Sequence, residues 1–311
     1  MHVFPWRTGF VYNLRGRGSR APVSLRGIMA RRKWRRRRRP LFWLLGLLAV
    51  AAAILLQSNG LIYRDRYDVT LEGLPPAFEG YRIAQVSDVH GGDLLGKGCK
   101  RLVEALQKAQ PHLIVVTGDL VDDDHGPETV RELLTKLPAI APTYYVSGNH
   151  EWSARLGEAV AALAEECGVT PLRNTFTYLT LGESRLMLAG LDDKFGPAGQ
   201  KTAAELMEEI EAADYEGPVL LLNHRPDGAE ACDALGYDLI FSGHVHGGLV
   251  RLPFVGGLVA PSRAWFPPYT KGLYPLENGG QLLVSAGLAP AGGYPRVFNP
   301  LQIPVAVLHG K

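Results

Sequence analysis

Ser242-Gly243-His244-Val245-His246-Gly247-Gly248 follows the apolar run Asp238-Leu239-Ile240-Phe241 and carries two imidazoles separated by one residue. On an extended chain alternate side chains share a face, so His244 and His246 project to the same side. The flanking glycines permit a sharp turn and leave room beside the ring nitrogens. Neutral imidazole is a common metal ligand, and the pair therefore reads as part of a metal clamp at a strand end. A clamp needs partners from elsewhere in the chain.

Four other strand-like runs end in residues of the same kind. Residues 81–86 run into Ser87-Asp88-Val89-His90, and residues 113–117 into Gly118-Asp119. Residues 143–146 run into Ser147-Gly148-Asn149-His150-Glu151, and residues 219–222 into Asn223-His224. In open α/β sheets, ligand sites gather at the carboxyl ends of strands. Helical periodicity occupies residues 97–109, 127–137, 156–166 and 202–212. Residues 178–181 and 185–189 form a hairpin about Gly182-Glu183, and further strands are expected at 281–285 and 304–308. The expected fold class is α/β: residues 63–311 form a two-sheet β-sandwich core flanked by helices, with the donors at one end.

The donor types define a chemistry. Carboxylate, imidazole and amide oxygen without thiolate suit Mn²⁺, Fe or Zn²⁺ better than a soft metal. A carboxylate can bridge two ions about 3.5 to 4 Å apart. Water on such ions becomes a nucleophile at neutral pH, and their charge stabilises a phosphate oxygen during in-line displacement. Cys99, Cys167 and Cys232 are odd in number and far apart; they match neither a zinc pattern nor a disulfide framework and read as free thiols.

Charge divides the chain. Residues 1–40 hold 13 basic residues and no acidic one, while the remaining 20 basic and 31 acidic residues leave the body at −11. An acidic body excludes nucleic acid as a partner. Residues 1–40 are expected to be a disordered, cytoplasmic, Arg-rich segment. Residues 41–62 follow as a transmembrane signal anchor; a cleaved signal peptide is the competing reading, but no small-residue cleavage site follows Leu56. The positive-inside rule puts the domain on the extracytoplasmic side of the cell membrane.

Asp-x-His, Gly-Asp, Gly-Asn-His-Glu, a lone His and Gly-His-x-His occur here in that order. Over roughly residues 80–250 the chain resembles the calcineurin-like metallophosphoesterases, and in particular their membrane-anchored bacterial branch. The tail Pro295-Arg296-Val297-Phe298-Asn299-Pro300 is also similar to that branch. Leu249 and Ala286 depart from its usual Gln and Arg, which bears on substrate and leaves the metals untouched. The resemblance implies a dinuclear centre in which Asp88, His90 and His246 hold one ion and Asn149, His224 and His244 the other. Asp119 would bridge them, and His150 would act as general acid toward the leaving alkoxide. Two divalent ions are implied, Mn favoured over Fe or Zn.

The implied activity is phosphoester hydrolysis by a metal-bridging hydroxide, on a phosphorylated small molecule or lipid of the membrane or envelope. Hydrolysis of a lipid-linked UDP-sugar pyrophosphate is the enzymatic alternative. A non-enzymatic, membrane-tethered binding scaffold is the alternative of a different class. Asp122 and Asp192-Asp193 are candidates to support the centre, and Arg225 reads either as a phosphate contact or as a surface ion pair. Residues 249–274, with Trp265, Phe266 and Tyr269, read either as an apolar rim over the site or as a packed irregular loop.

Overall fold

The computed structural model describes residues 25–92, 95–96, 99–252, 254–261, 264–290 and 294–311, with side chains from Pro40 onward. The chain divides into two units, Met1–Ala51 and Ala52–Lys311. Helix α1 (Leu25–Gly60) contains a 21-residue stretch, Pro40–Gly60, with a mean hydropathy of 2.2. At 1.5 Å per residue this is about 31 Å, the thickness of a bilayer's hydrocarbon core. The disorder expected for residues 1–40 falls partly on residues 1–24, outside the described residues. Residues 25–39 are helical where disorder was expected, in keeping with the high helix propensity of Arg. The apolar helix ends at Gly60, and Ile62 opens the first strand by pairing with Leu301.

The strands of the domain are β1 (Ile62–Leu71), β2 (Arg82–Val86), β3 (Leu113–Thr117), β4 (Thr143–Val146) and β5 (Thr170–Pro171). β6 (Thr175–Leu181), β7 (Ser184–Leu191), β8 (Val219–Asn223) and β9 (Leu239–Ser242) follow. The last are β10 (Arg251–Leu252), β11 (Gly256–Gly257), β12 (Gly272–Pro275), β13 (Gln281–Val284) and β14 (Leu301–Gly310). One six-stranded sheet has the order β1-β14-β2-β3-β4-β5 and the other β12-β13-β9-β8-β7-β6, while β10 and β11 pair alone. β2, β3, β4 and β5 are mutually parallel, as are β7, β8, β9 and β13.

Period-2 alternation explains the layers. Ile83, Leu113, Leu220 and Phe241 face the other sheet, where they meet Val115, Leu188 and Leu222. Their neighbours Ala84 and Ile114 face outward, onto the helices α2 (Lys100–Ala109), α3 (Arg131–Lys136) and α5 (Gly157–Glu166). Leu221 and Ile240 likewise pack against α6 (Ala203–Ala212) and α7 (Ala229–Ala234). Strands covered on both faces are apolar throughout, which is why their sequences read as unbroken runs. Each fully buried Leu or Ile contributes about 1.5–3 kcal/mol. The two-sheet sandwich between helices is the expected architecture, and its parallel strands bring their carboxyl ends to one edge.

β1 was not expected. Its Arg64, Asp65, Arg66 and Asp68 give it the charged surface of an edge strand, and only pairing with the distant β14 reveals it. The helix expected at 127–137 is a 3-10 turn, Pro127–Val130, followed by α3. A short helix α4 (Asn149–Ser153) begins inside the Gly-Asn-His-Glu block.

Candidate metal centre

Each donor-bearing turn follows a strand carboxyl end, and backbone hydrogen bonds tie the turns together. Asp88 N donates to Gly118 O at 3.1 Å, Gly243 N to His224 O at 2.9 Å, and His90 N to Asp119 O at 3.0 Å. Asp88, His90, Asp119, His244 and His246 all lie at positive φ, between 49° and 68°. Non-glycine residues adopt this left-handed conformation at a cost of about 1 kcal/mol or more, and such residues cluster at functional sites. Here the conformation turns each side chain back over the strand ends. Gly148 and Gly243 are required for room: a Cβ on the first would lie 2.3 Å from Asp119 Oδ1, and on the second 2.6 Å from Asp88 Oδ2.

The donors converge as two groups. Ligand atoms of Asp88, His90, Asp119 and His246 lie within 4.8 Å of one another, as do those of Asp119, His224 and His244. Asp119 belongs to both. His90 Nε2 and His246 Nε2 are 3.1 Å apart, and His246 Nε2 is 3.4 Å from Asp88 Oδ1. Two nitrogens about 2.1 Å from one ion, at right angles, stand about 3 Å apart, so this spacing fits a shared ion. His224 Nδ1 is 2.7 Å from Thr117 O and donates to it, which turns Nε2 toward Asp119 Oδ2 at 3.1 Å and Asn149 Oδ1 at 3.2 Å. Asp88 Oδ2 is buried with no protein partner. Buried carboxylates and imidazoles so arranged are costly unless cations join them, and the residues fit two divalent ions.

Electrostatics among the protein groups alone divide the imidazoles, favouring the neutral ring at His90, His244 and His246 and the charged ring at His224 beside Asp119. Burial lowers His90 to about 4, His246 to about 3 and His244 to about 2, aided by neighbouring cationic groups, so these rings are neutral donors. Burial raises Asp88, with the Asp119 charge adding to it. At Asp119 burial also acts upward, but the surrounding imidazoles, His224 foremost, outweigh it and hold the carboxyl far below its usual range. Burial pulls His224 down, and Asp119 more than reverses this, raising it to about 10.

His150 lies in the first turn of α4, beside this cluster. Its backbone N donates to Asp119 Oδ1 at 2.8 Å, its ring stands perpendicular to His90 at 4.7 Å, and its buried Nδ1 has no partner. Glu151 does not partner it. The Glu151 carboxylate, wholly buried, accepts from the backbone N–H groups of Asp119 (3.0 Å), Leu120 (2.6 Å) and Gly148 (2.9 Å). It clamps the turn after β3 to the turn after β4, and burial raises its pKa to about 7.

The supporting candidates separate. Asp122 accepts from His125 Nδ1 at 2.7 Å and, with Asp123 and Asp124, lines the cavity over the centre. Asp192 accepts from Ser147 Oγ at 2.7 Å and from Arg173 at 3.1 Å. Arg225 forms an ion pair that is largely buried and not at the surface: Nε donates to Asp193 at 2.6 Å, while Nη1 lies 3.0 Å from His244 Nε2.

Arg296 carries a function that sequence reading missed. It is fully buried, and its guanidinium donates to Asn299 O (2.8 Å), Ala289 O (2.7 Å), His246 O (3.4 Å) and Ala286 O. Ala289 O also lies 3.2 Å from His246 Nδ1 and accepts from it, so Arg296 sets the turn that orients this imidazole. An isolated Arg in a Pro-rich tail has no periodicity, and its similarity to the branch's tail was the only available signal.

A family model described as calcineurin-like phosphoesterase matches residues 81–248, the interval that contains every one of these donors. The uncharacterized metallophosphoesterase YkuE of Bacillus subtilis is 31% identical over 208 residues, which cover 65% of this chain and 70% of that protein. A transmembrane protein with metallophosphoesterase domain from Danio rerio is 26% identical over 255 residues, 78% of this chain and 56% of its own length. The phosphodiesterase YaeI of Escherichia coli is 30% identical over 156 residues, 49% of this chain and 55% of that protein.

Proposed function

Because the chain belongs to the calcineurin-like phosphoesterase family, we propose that this metallophosphoesterase hydrolyses a phosphoester of a membrane or envelope component. The observation that carries the reading is Asp119, a buried carboxylate shared by two groups of ligand atoms. Asp88, His90 and His246 would hold one divalent ion, Asn149, His224 and His244 the second, with Asp119 between. Bound there, the ions would supply Lewis acidity and a hydroxide nucleophile, with manganese favoured for this donor set. His150 would hold the proton for the leaving alkoxide, its ring oriented by the backbone bond to Asp119. Arg225, steadied by Asp193, would meet a non-bridging phosphate oxygen.

The surroundings of the centre support this substrate class. A cavity of about 240 Å³ adjoins the centre, where Arg225 and His244 meet an apolar wall including Val245, Ala260, Pro261 and Tyr269. Such a wall suits the hydrocarbon of an alcohol leaving group. The apolar helix Pro40–Gly60 and the transmembrane relative from Danio rerio support a single-pass membrane protein. The Arg cluster supports an extracytoplasmic domain, which a C-terminal reporter of sidedness would test. This orientation disfavours a UDP-sugar pyrophosphate substrate, and the complete donor set disfavours a scaffold.

The test is turnover by the full chain, loaded with Mn²⁺ in detergent, on a generic phosphodiester, a monoester and a pyrophosphate. Diester or monoester turnover, lost in Asp119→Asn together with metal binding, is the expected result. Turnover of pyrophosphate alone moves the reading to the UDP-sugar alternative. No turnover after verified loading overturns the enzymatic reading. His150→Ala should retain metal and lose most of the rate.

A further inference from the structure

Among the described residues from Arg251 to Phe266, the exposed side of the chain is rich in large apolar side chains. β10 and β11 pair Arg251 with Gly257 and Leu252 with Gly256, and Val259 bridges Trp265 beyond them. The inner side of this hairpin gives Ala260, Pro261 and Ala264 to the cavity beside His244. Its outer side exposes Leu252 (41%), Phe254 (109%), Val255 (58%), Trp265 (70%) and Phe266 (63%). A soluble domain seldom leaves so many large apolar side chains together in water unless something covers them.

The rest of the exposed apolar surface says what covers them. From Leu61 onward, the other large apolar side chains exposed among the described residues are Leu61, Tyr63, Phe195, Tyr294 and Phe298. Leu61 and Tyr63 directly follow the apolar helix, and Tyr294 and Phe298 flank Arg296. These stretches are bonded to one another. Asn59, in the last turn of the helix, donates to Arg296 O and accepts from Arg296 N, both at 3.0 Å. The next residue, Val297, bridges Val250, and Arg251 N donates to Val297 O at 3.0 Å. Phe254 is only four positions along the chain from Val250, about 13 Å at most. The apolar surface is thus tied to the foot of the helix, while Phe195 lies against the Arg225 guanidinium at 4.6 Å.

We propose that this hairpin, with Tyr294 and Phe298, dips into the same bilayer that Pro40–Gly60 crosses, so that the apolar cavity beside the metal centre opens at the membrane surface. Trp, Tyr and Phe are the residues that settle at that interface. The proposal rests on reading Pro40–Gly60 as membrane-spanning and is independent of which phosphoester is cleaved.

The test places an environment-sensitive fluorophore on single cysteines of the full chain in nanodiscs of phosphatidylethanolamine and phosphatidylglycerol. Cys167→Ser removes the half-buried thiol, while Cys99 and Cys232 are buried. Phe254→Cys and Trp265→Cys report on the hairpin and Leu45→Cys on the span. Glu183→Cys sits in the turn before β7, at the opposite end of its sheet from the metal centre. Doxyl-labelled lipid should quench positions 45, 254 and 265 at least about twofold and leave 183 unchanged. Positions 254 and 265 behaving like 183 while 45 is quenched would overturn the proposal. Quenching absent at 45 overturns the spanning reading and the proposal with it. Cross-linking between the 254 positions of two chains, in place of lipid quenching, assigns the surface to a second copy and also overturns it. None of these readouts requires turnover, so they stand even if the phosphoesterase assays fail.

Discussion

Arg296→Lys is the substitution that most sharply probes the reading of the metal centre. The guanidinium spreads its donors over the carbonyls of residues 246, 286, 289 and 299 while wholly shielded from water. A lysine ammonium is a point donor on a flexible stem and cannot span four acceptors. Leaving one or two of these carbonyls unpaired costs about 1–3 kcal/mol each, giving a net loss of about 2–4 kcal/mol. For a domain of this size that lowers Tm by about 5–12 °C. The larger effect falls on metal. Ala289 O would lose its fixed place, and with it the bond that orients His246 through Nδ1. Loss of such an outer partner typically weakens metal binding by about 10- to 100-fold. Mn²⁺ titration of the full chain followed by electron paramagnetic resonance would measure this at a temperature where both proteins are folded. Arg296→Lys with an unchanged Mn²⁺ affinity would refute the assigned role, even if Tm fell. Asn59→Ala removes the two bonds to the Arg296 backbone and should give a smaller loss of the same kind.

Further outcomes are expected. Glu151→Gln replaces an acceptor of three backbone N–H groups with a side chain that has only one acceptor oxygen, and should destabilise the domain by about 2–3 kcal/mol, read as a shift in urea midpoint. Chelation should lower Tm, and Mn²⁺ at about 100 times its Kd should restore about 2.7 kcal/mol by mass action, measured by calorimetry. In the native chain a thiol reagent at pH 8 should modify Cys167 and spare Cys232, whose thiol burial pushes up to about 11; guanidinium should expose all three thiols. The half-buried His309 is raised above its ordinary 6.5 by hydrogen bonds to Glu79 and Asp68. Its folded form therefore holds the proton more tightly, so the stabilisation is fully present below about pH 6.5 and fades as pH rises through the higher folded value. Urea midpoints of His309→Gln should show less decline than the parent across that window.

The alternation of Glu151's role and His150's is instructive about what neighbouring positions can do. They are adjacent in the chain, yet one faces the centre with an open nitrogen while the other turns inward to hold two loops by their backbones. Asp122 and Arg225 show the same divergence. Each lies near a strand end and is held by its own partner, His125 in one case and Asp193 in the other.

What the sequence by itself determined is local or periodic. Unbroken apolar runs such as Leu113–Thr117 mark strands buried on both faces, and the expected span for that strand and for Thr143–Val146 matches the structure. Donor residues at five strand ends predicted the site, because in parallel sheets the strand ends share one edge. Only the tertiary structure decided the rest. The pairing of β1 with β14 joins residues more than two hundred positions apart, and a charged edge strand carries no apolar period to announce it. The sharing of Asp119 between two ligand groups depends on where both sheets bring their turns. The grip of Arg296 on the His246 turn, and of Asn59 on Arg296, consists of side-chain bonds to distant backbone groups. Such bonds depend on position in space and not on the identity of the residue accepting them, and that is why no pattern in the chain records them.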